Sequence, residues 1–485
     1  MMSFGGGFFG SLSRSPTIWT WASTTSRILA FGLTLPLVVT RLSEAEAALW
    51  YMFMTVAALQ IVADMGLSSV FGRFFAYAAA GSQHVGDHGS EHGRRRSDGP
   101  NVDLAYEIHV TTRAVYVVVA AVWTVAGAAL LAWASPKLLA SAGNPATAVA
   151  AAGLVVVAVA IRLYGNRFTA CLFGLGEFVR WRRAETVVWL VSGVAGASVL
   201  LAGGRLLALT FVTFGLMIIN VLINAILARG ALRRLGLPDG SARTSGDVLK
   251  EAVPRAWRSG IGVLMHTGAM HVVTVAVARL ESDSVAAGYL LAYNVLRAMD
   301  QMAQAPFYTK LPALARYRAQ GSMDDFERVA RRGMRMSYWT LAGCCTLVGA
   351  AAGPFLDAIG SSVTFVDSKI WAVMVAAVFF ERVGASHLQC YMTTNRVVLH
   401  IANGVAGALV LLLSVVLYPF AGLIGLPLAQ LLANSVWFAG YSARRSYSAV
   451  PFPAVRFEVS TSLLPGLFML GVFVLVHVLR AGGRL

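Results

Sequence analysis

Charge is what this chain lacks most. Asp, Glu, Lys and Arg make up 13% of its 485 residues, hydrophobic residues make up 57%, and the mean hydropathy is +0.67. A soluble domain carries about 25% charged residues, so a water-exposed globular protein of this length is excluded. Acids are the scarcer sign, 23 against 39 Lys and Arg, giving a net charge of +16. That excess would suit nucleic acid, but no module interleaves the basic residues with aromatics. Cysteine is also sparse: Cys171, Cys344, Cys345 and Cys390 fall in or beside apolar runs. Their spacing fits neither a disulfide framework nor a metal site, and they are read as small packing residues.

What the chain has instead is long apolar runs. They lie near 18–40, 47–78, 107–134, 147–172, 184–203, 206–228, 259–280, 285–311, 334–354, 370–394, 397–418 and 421–441, with a thirteenth near 461–480. Each long run reaches the roughly 20 residues that a helix needs to cross about 30 Å of hydrocarbon. The runs are continuously apolar rather than alternating, which selects helices over a barrel. The first is too long for a signal h-region and has no small-residue cleavage site after it, so it is expected to be retained. The breaks after even-numbered runs, with the helix ends beside them, hold 24 basic residues, and those after odd-numbered runs hold five. That asymmetry places the N-terminus in the cytoplasm.

The basic linker "RGALRRLGLPDGSARTSGDVLKEAVPR" separates six runs from the next six. The halves share local patterns. "VTRLSEAEAALWYMF" from Val39 parallels "VARLESDSVAAGYLL" from Val277, and "GVAGASVLL" from Gly193 parallels "GVAGALVLL" from Gly404. The expected fold class is an all-α polytopic membrane protein of two six-helix bundles related by an internal repeat, with one extra C-terminal helix. The expected boundaries are a lobe at 1–230, a cytoplasmic linker at 231–256, a lobe at 257–445 and an extension at 446–485. His84, His88 and His92 recur every four residues in a polar loop, but Gly86, Gly89 and Gly93 argue against the helix that would align them for a metal. The stretch "MDDFERVARRGMRM" reads as an amphipathic helix on the cytoplasmic membrane surface, its arginines near anionic lipid headgroups.

Nine ionisable residues sit in the middle of runs: Arg27, Asp64, Arg162, His271, Arg297, Asp300, Glu381, Arg382 and His387. A mid-span Arg or Asp costs about 2.5–3.5 kcal/mol facing lipid, so the set would cost on the order of 20 kcal/mol and must face protein or water. Helical spacing groups Thr20, Thr24, Arg27 and Thr34 on one stripe, Gln60, Asp64 and Ser68 on a second, and Tyr293, Arg297, Gln301, Gln304 and Tyr308 on a third. Thr267, His271 and Thr274 align, whereas His266 lies about 140° away. These stripes predict one hydrated cavity. The alternative is a set of buried ion pairs such as Arg297 with Asp300. Four mid-run arginines (27, 162, 297, 382) outnumber three acids (64, 300, 381), a surplus that favours an anionic ligand such as phosphate. On this reading Arg27, Arg162, Arg297, Arg382 and Gln301 bind substrate. Asp64, Asp300, Glu381 and His271 tune the cavity's charge or couple to an ion. No cofactor or metal motif is present.

"EAEAALWYMFMTVAALQIVADMGLSSVFGRFFA" resembles the second helix of polysaccharide repeat-unit flippases in the MOP (multidrug, oligosaccharidyl-lipid, polysaccharide) superfamily. The shared features are a Leu-Trp entry and an Asp-x-Gly-Leu followed by an Arg. "YMTTNRVV" and "YPFAGLIGLPLAQLLANSVW" resemble the same family's tenth-to-twelfth helix region. The resemblance implies two six-helix lobes in a V around a cationic cavity that opens alternately to each side. It also implies a substrate, an oligosaccharide on undecaprenyl pyrophosphate, flipped from the cytoplasmic to the periplasmic leaflet of a bacterial inner membrane. Membrane lipids, a polysaccharide polymerase and chain-length machinery are the implied partners, with no nucleic acid. The rival within the superfamily is a MATE-type multidrug antiporter, which cavity arginines disfavour because a cationic drug wants acidic walls. A membrane polysaccharide polymerase is the rival outside it, and the short outward loops speak against that.

Overall fold

The computed structural model describes residues 15–85, 99–134, 144–236, 244–358, 364–450 and 453–481. The described chain is helical, with no strand among the described residues. In order the helices are α1 (Pro16–Arg41), α2 (Glu44–Asp64), α3 (Leu67–Ala79), α4 (Val102–Ala134), α5 (Pro145–Gly174), α6 (Phe178–Leu201), α7 (Leu206–Arg234), α8 (Gly246–Leu280) and α9 (Asp283–Tyr308). They continue as α10 (Leu311–Gln320), α11 (Met323–Ala358), α12 (Ser368–Met392), α13 (Leu399–Ala421), α14 (Gly425–Leu432), α15 (Gly440–Ala449), α16 (Ala454–Glu458) and α17 (Leu464–Ala481). π-turns at Ala433–Ala439 and Val459–Leu463 join α14 to α15 and α16 to α17. Eight helices among the described residues are long and apolar enough to cross a membrane on their own, the stretch Leu399–Ala449 being counted as one. The protein is a multi-pass membrane protein.

The chain forms two compact units, the first ending at Ala256 and the second beginning at Trp257. In the first, α5 is the central helix, packed against α3, α4 and α7, while α1 lies along α6. Asn144 starts α5 by accepting the amides of Ala146 and Thr147 at 3.1 and 3.3 Å, with Pro145 as first helical residue. In the second unit the central helix is α12, the most enclosed of the eight apolar helices, packed against α14, α15 and the π-turn between them, with α11 at its side.

The two glycine patterns noticed in the sequence do the same job in each unit. A Cβ on Gly193 would sit 2.6 Å from Ala30 Cα, and one on Gly196 would sit 3.1 Å from Thr34 Cγ2, so α6 meets α1 backbone to backbone. Likewise a Cβ on Gly404 would sit 3.0 Å from Met265 Sδ, and one on Gly407 would sit 2.9 Å from Met265 O, so α13 meets α8. Small residues let helix backbones approach where lipid supplies no hydrophobic drive. The matching Arg-Leu segments also fold alike, as the junctions between α1 and α2 and between α8 and α9. At the first junction Ser43 and Glu46 form a capping box, with Ser43 N 3.2 Å from Glu46 Oε2 and Glu46 N 3.4 Å from Ser43 Oγ.

Three expectations are corrected. The second apolar run is two helices, broken where Met65 and Gly66 take φ of 47° and 75°. The break is tolerable inside apolar surroundings because Asp64 Oδ2 accepts the Ser68 amide at 3.2 Å and caps the restarted helix. The amphipathic stretch from Met323 is not a separate surface helix. It forms the first turns of the 36-residue α11, held by the buried Phe326, Ala330 and Met334. The expected linker at 231–256 is helical at both ends, since α7 runs to Arg234 and α8 begins at Gly246. Of the loop histidines, His84 is described and half-buried, and His88 and His92 lie outside the described residues.

Candidate functional site

The first unit encloses a cavity of ≈ 200 Å³ walled mainly by α5, α6 and α7. Arg162 enters it from α5, with Nη1 3.3 Å from Met217 Sδ and the charges of Glu185 and Arg27 within electrostatic reach. Glu185 is held from the side, accepting from Ser23 Oγ at 2.8 Å and Arg182 Nη1 at 2.5 Å. Among apolar side chains such as Met54, Val188, Phe214 and Leu216, the wall also carries the carboxamides of Asn166, Asn220 and Asn224 and the indoles of Trp181 and Trp189. Asn220 accepts from Asn224 at 3.0 Å, while the buried Asn224 Oδ1 has no hydrogen-bond partner in the protein. The cavity therefore offers a cation, an acid, spare amides and flat aromatic faces.

Asn166 links this wall to Asp64. The Asp64 carboxylate receives Tyr116 OH at 2.7 Å and Asn166 Nδ2 at 2.9 Å on Oδ1, and the Ser68 amide and hydroxyl, at 3.2 and 2.5 Å, on Oδ2. Four donors thus fill it. The expected stripe on α1 divides differently. Thr20 and Thr34 are buried and donate to the carbonyls of Pro16 and Ala30 at 2.8 and 3.0 Å, whereas Arg27, on the same helix, is exposed. In α1 the threonines satisfy their own backbone and need no shared cavity.

In the second unit four of the mid-run ionisable residues pair between α9 and α12. Arg297 Nη1 lies 2.7 Å from Glu381 Oε1, and Arg382 grips Asp300 through Nε at 2.9 Å and Nη2 at 2.6 Å. The sequence alternative of an Arg297–Asp300 pair within one helix is therefore replaced by two pairs that cross between helices. Glu381 also meets His266 Nε2 at 3.1 Å and Gln430 Nε2 at 3.2 Å, both absent from the sequence-derived set. His266 was placed off the polar face by its angle from His271, yet it is His266 that meets Glu381. His271 is exposed, and its carbonyl accepts from Thr274. Gln301 is exposed on α9. Gln430 sits in an apolar run with no periodic polar signal, next to a π-turn that re-aims the helix. His387, completely buried, lies 2.8 Å from Glu458 Oε1, which also accepts from Tyr447 OH at 2.5 Å.

The surplus of mid-run arginine is thus confined to one unit. Arg297 and Arg382 are matched by Glu381 and Asp300, whereas Arg162 has no carboxylate in direct contact among the described residues. All four cysteines are free thiols, and no cluster of metal-ligating side chains occurs among the described residues.

No protein-family model matches the sequence, and no curated protein matches it. Solved structures do match in fold. An outward-facing multidrug-resistance MATE-family transporter of the MOP superfamily aligns with TM-score 0.65 at 11% identity, over 91% of this chain and 98% of its own. A MOP-superfamily transporter from Pyrococcus furiosus Vc1, described as having a binding pocket of reversed polarity that suggests a different function, aligns with TM-score 0.64 at 11% identity, over 91% and 97%. The Vibrio cholerae MATE transporter VcmN aligns with TM-score 0.59 at 14% identity, over 90% and 97%. The fold is that of MOP-superfamily transporters. In this fold the twelve expected runs and the thirteenth are all occupied by helices.

Proposed function

We propose that the chain is a flippase that moves lipid-linked oligosaccharide, on an undecaprenyl pyrophosphate carrier, from the cytoplasmic to the periplasmic leaflet of a bacterial inner membrane. A polysaccharide polymerase and chain-length machinery would act on its product. The observation that carries this reading is the first-unit cavity, where Arg162 stands among three carboxamides and two tryptophans. Carboxamides satisfy sugar hydroxyls, indole faces cover the apolar faces of a pyranose ring, and an arginine without its own carboxylate suits phosphate or an acidic sugar. A cavity of ≈ 200 Å³ holds one such group at a time, since drug-sized sites run from about 300 Å³ upward. The neighbour described as having a reversed pocket polarity supports the view that this fold serves more than one charge class of cargo.

A MATE-type multidrug antiporter is the second reading. It is favoured by the multidrug-resistance neighbour and by Glu185, which brings an acid to the same cavity. Reconstitution separates the two. Proteoliposomes carrying a fluorescent lipid-linked oligosaccharide should show leaflet exchange that Arg162→Gln reduces at least about tenfold. Exchange indistinguishable from empty liposomes, together with drug resistance conferred on an expressing strain, would overturn the flippase reading in favour of the antiporter.

A further inference from the structure

At the end of the first unit where α4 begins and α5 and α7 finish, basic groups converge without a counter-charge. Arg167, on α5, is buried at 9% exposure, and its guanidinium is 4.7 Å from the Tyr164 ring centre and 4.5 Å from that of Phe168. These rings fix the plane of the group. Yet its Nε and Nη1 are buried without any hydrogen-bond partner in the protein. His109 and Arg113 on α4 and Arg229 on α7 all lie within electrostatic reach. No carboxylate pairs with Arg113, Arg167 or Arg229 among the described residues. Glu177, whose charge reaches the neighbouring Cys171, is already engaged by Arg180 and Arg234 at 3.2 and 2.5 Å.

Like charges gathered around a desolvated arginine repel one another, and each orphaned N–H carries a desolvation cost. A bound anion removes both penalties. We propose that Arg167, Arg113, Arg229 and His109 form a phosphate-binding site at this end of the first unit, separate from the cavity that holds Arg162. Three helices supply the donors, and the ring-held guanidinium offers the phosphate N–H groups that the protein leaves unpaired. Arg113 and Arg229 are exposed, so the site is open to a phosphodiester of the surrounding lipid and to free phosphate alike. The lipid headgroup is the source that position favours, because an exposed apolar surface, Val117, Val118 and Val122, continues along α4 from Arg113. The site does not depend on which cargo the transporter carries.

The test uses full-length protein in neutral detergent, with melting temperature read against added phosphatidylglycerol, phosphatidylcholine of the same chains, inorganic phosphate and pyrophosphate. Phosphatidylglycerol should raise the melting temperature where phosphatidylcholine does not. The double variant Arg113→Gln/Arg229→Gln, exposed and expected to fold, should weaken that response about tenfold. Arg167→Gln should abolish it, and Arg205→Gln, at another loop, should leave it unchanged. A response to phosphatidylglycerol alone identifies a lipid headgroup, and an added response to phosphate or pyrophosphate identifies a site for phosphate from either source. Equal responses to the two lipids, or a double variant that responds like the unaltered protein, would overturn the proposal.

Discussion

Helices α5 and α12 hold the same place in their units, each at the centre of its bundle and each carrying an arginine just before a close-packed glycine. A Cβ on Gly165 would meet Val221 at 2.7 Å, and one on Gly384 would meet Phe438 at 2.6 Å. Their charges are handled in opposite ways. On α12 Glu381 and Arg382 reach across to α9 and find partners of opposite sign, so both mid-run arginines of the second unit have a carboxylate. On α5 there is no acid at all, and Arg162 and Arg167 face a cavity and a basic end without a paired carboxylate. A buried arginine with a carboxylate is a structural element, whereas one without is a site waiting for a ligand. The repeat has thus kept its packing and divided its chemistry.

The comparison is broken most severely by removing half of a closed pair. Asp300→Ala leaves Arg382 buried and uncompensated and should destabilise the protein by about 3–5 kcal/mol, while Asp300→Leu with Arg382→Met should recover most of that loss. Thermal unfolding of the purified variants measures both, and equal stability of the single and double variants would refute the pairing. The shared packing is sharpened next. Gly193→Val and its counterpart Gly404→Val should each cost about 1–3 kcal/mol, because each inserts a side chain into a close helix contact of the repeat. A large effect at one and none at the other would mean the two contacts are not equivalent. Arg162→Gln, by contrast, should change stability by less than about 1 kcal/mol while transport falls. Unfolding of that variant at a much lower temperature would return Arg162 to a structural role.

The smallest effect concerns Glu46, one residue before the second apolar run. Burial pushes its carboxyl up, but hydrogen bonds and charge from Arg205, with the Ser43 amide, outweigh burial and hold it below the ordinary glutamate value of 4.5. A carboxyl depressed by folding stabilises the fold above its unfolded value and loses that contribution as the pH falls through the folded one. The melting temperature of Glu46→Gln should therefore lie slightly below that of the unaltered protein at pH 7 and converge with it in acid. A gap that persists in acid would assign the difference to packing.

The helices were legible because apolar run length alone marks them, and the matching helix contacts because Gly193 and Gly404 head the same short pattern. Partners were not legible. Mid-run position identified Arg297, Asp300, Glu381 and Arg382 as a group, but spacing along one helix cannot say which residue of another helix it meets. Hence Arg297 turned from Asp300 to Glu381, and His266 replaced His271. Arg167 and Glu185 were passed over because they lie towards the ends of their runs, where a charge looks like an ordinary boundary residue. Their signals were subtler: Arg167 stands between two aromatics at i−3 and i+1, and Glu185 is an acid just inside an apolar run. Met65 and Gly66 hid a helix break because a hydropathy scale cannot register a positive φ.

The break bears on what Asp64 can do. Its carboxylate serves at once as the cap of α3 and as the common acceptor for Tyr116 and Asn166, so its negative charge is part of the backbone's own accounting of amides. Replacing that side chain by an apolar one would subtract the acceptor on which a helix start depends. In this chain, the carboxylate of Asp64 and the order of the first turn of α3 are a single variable.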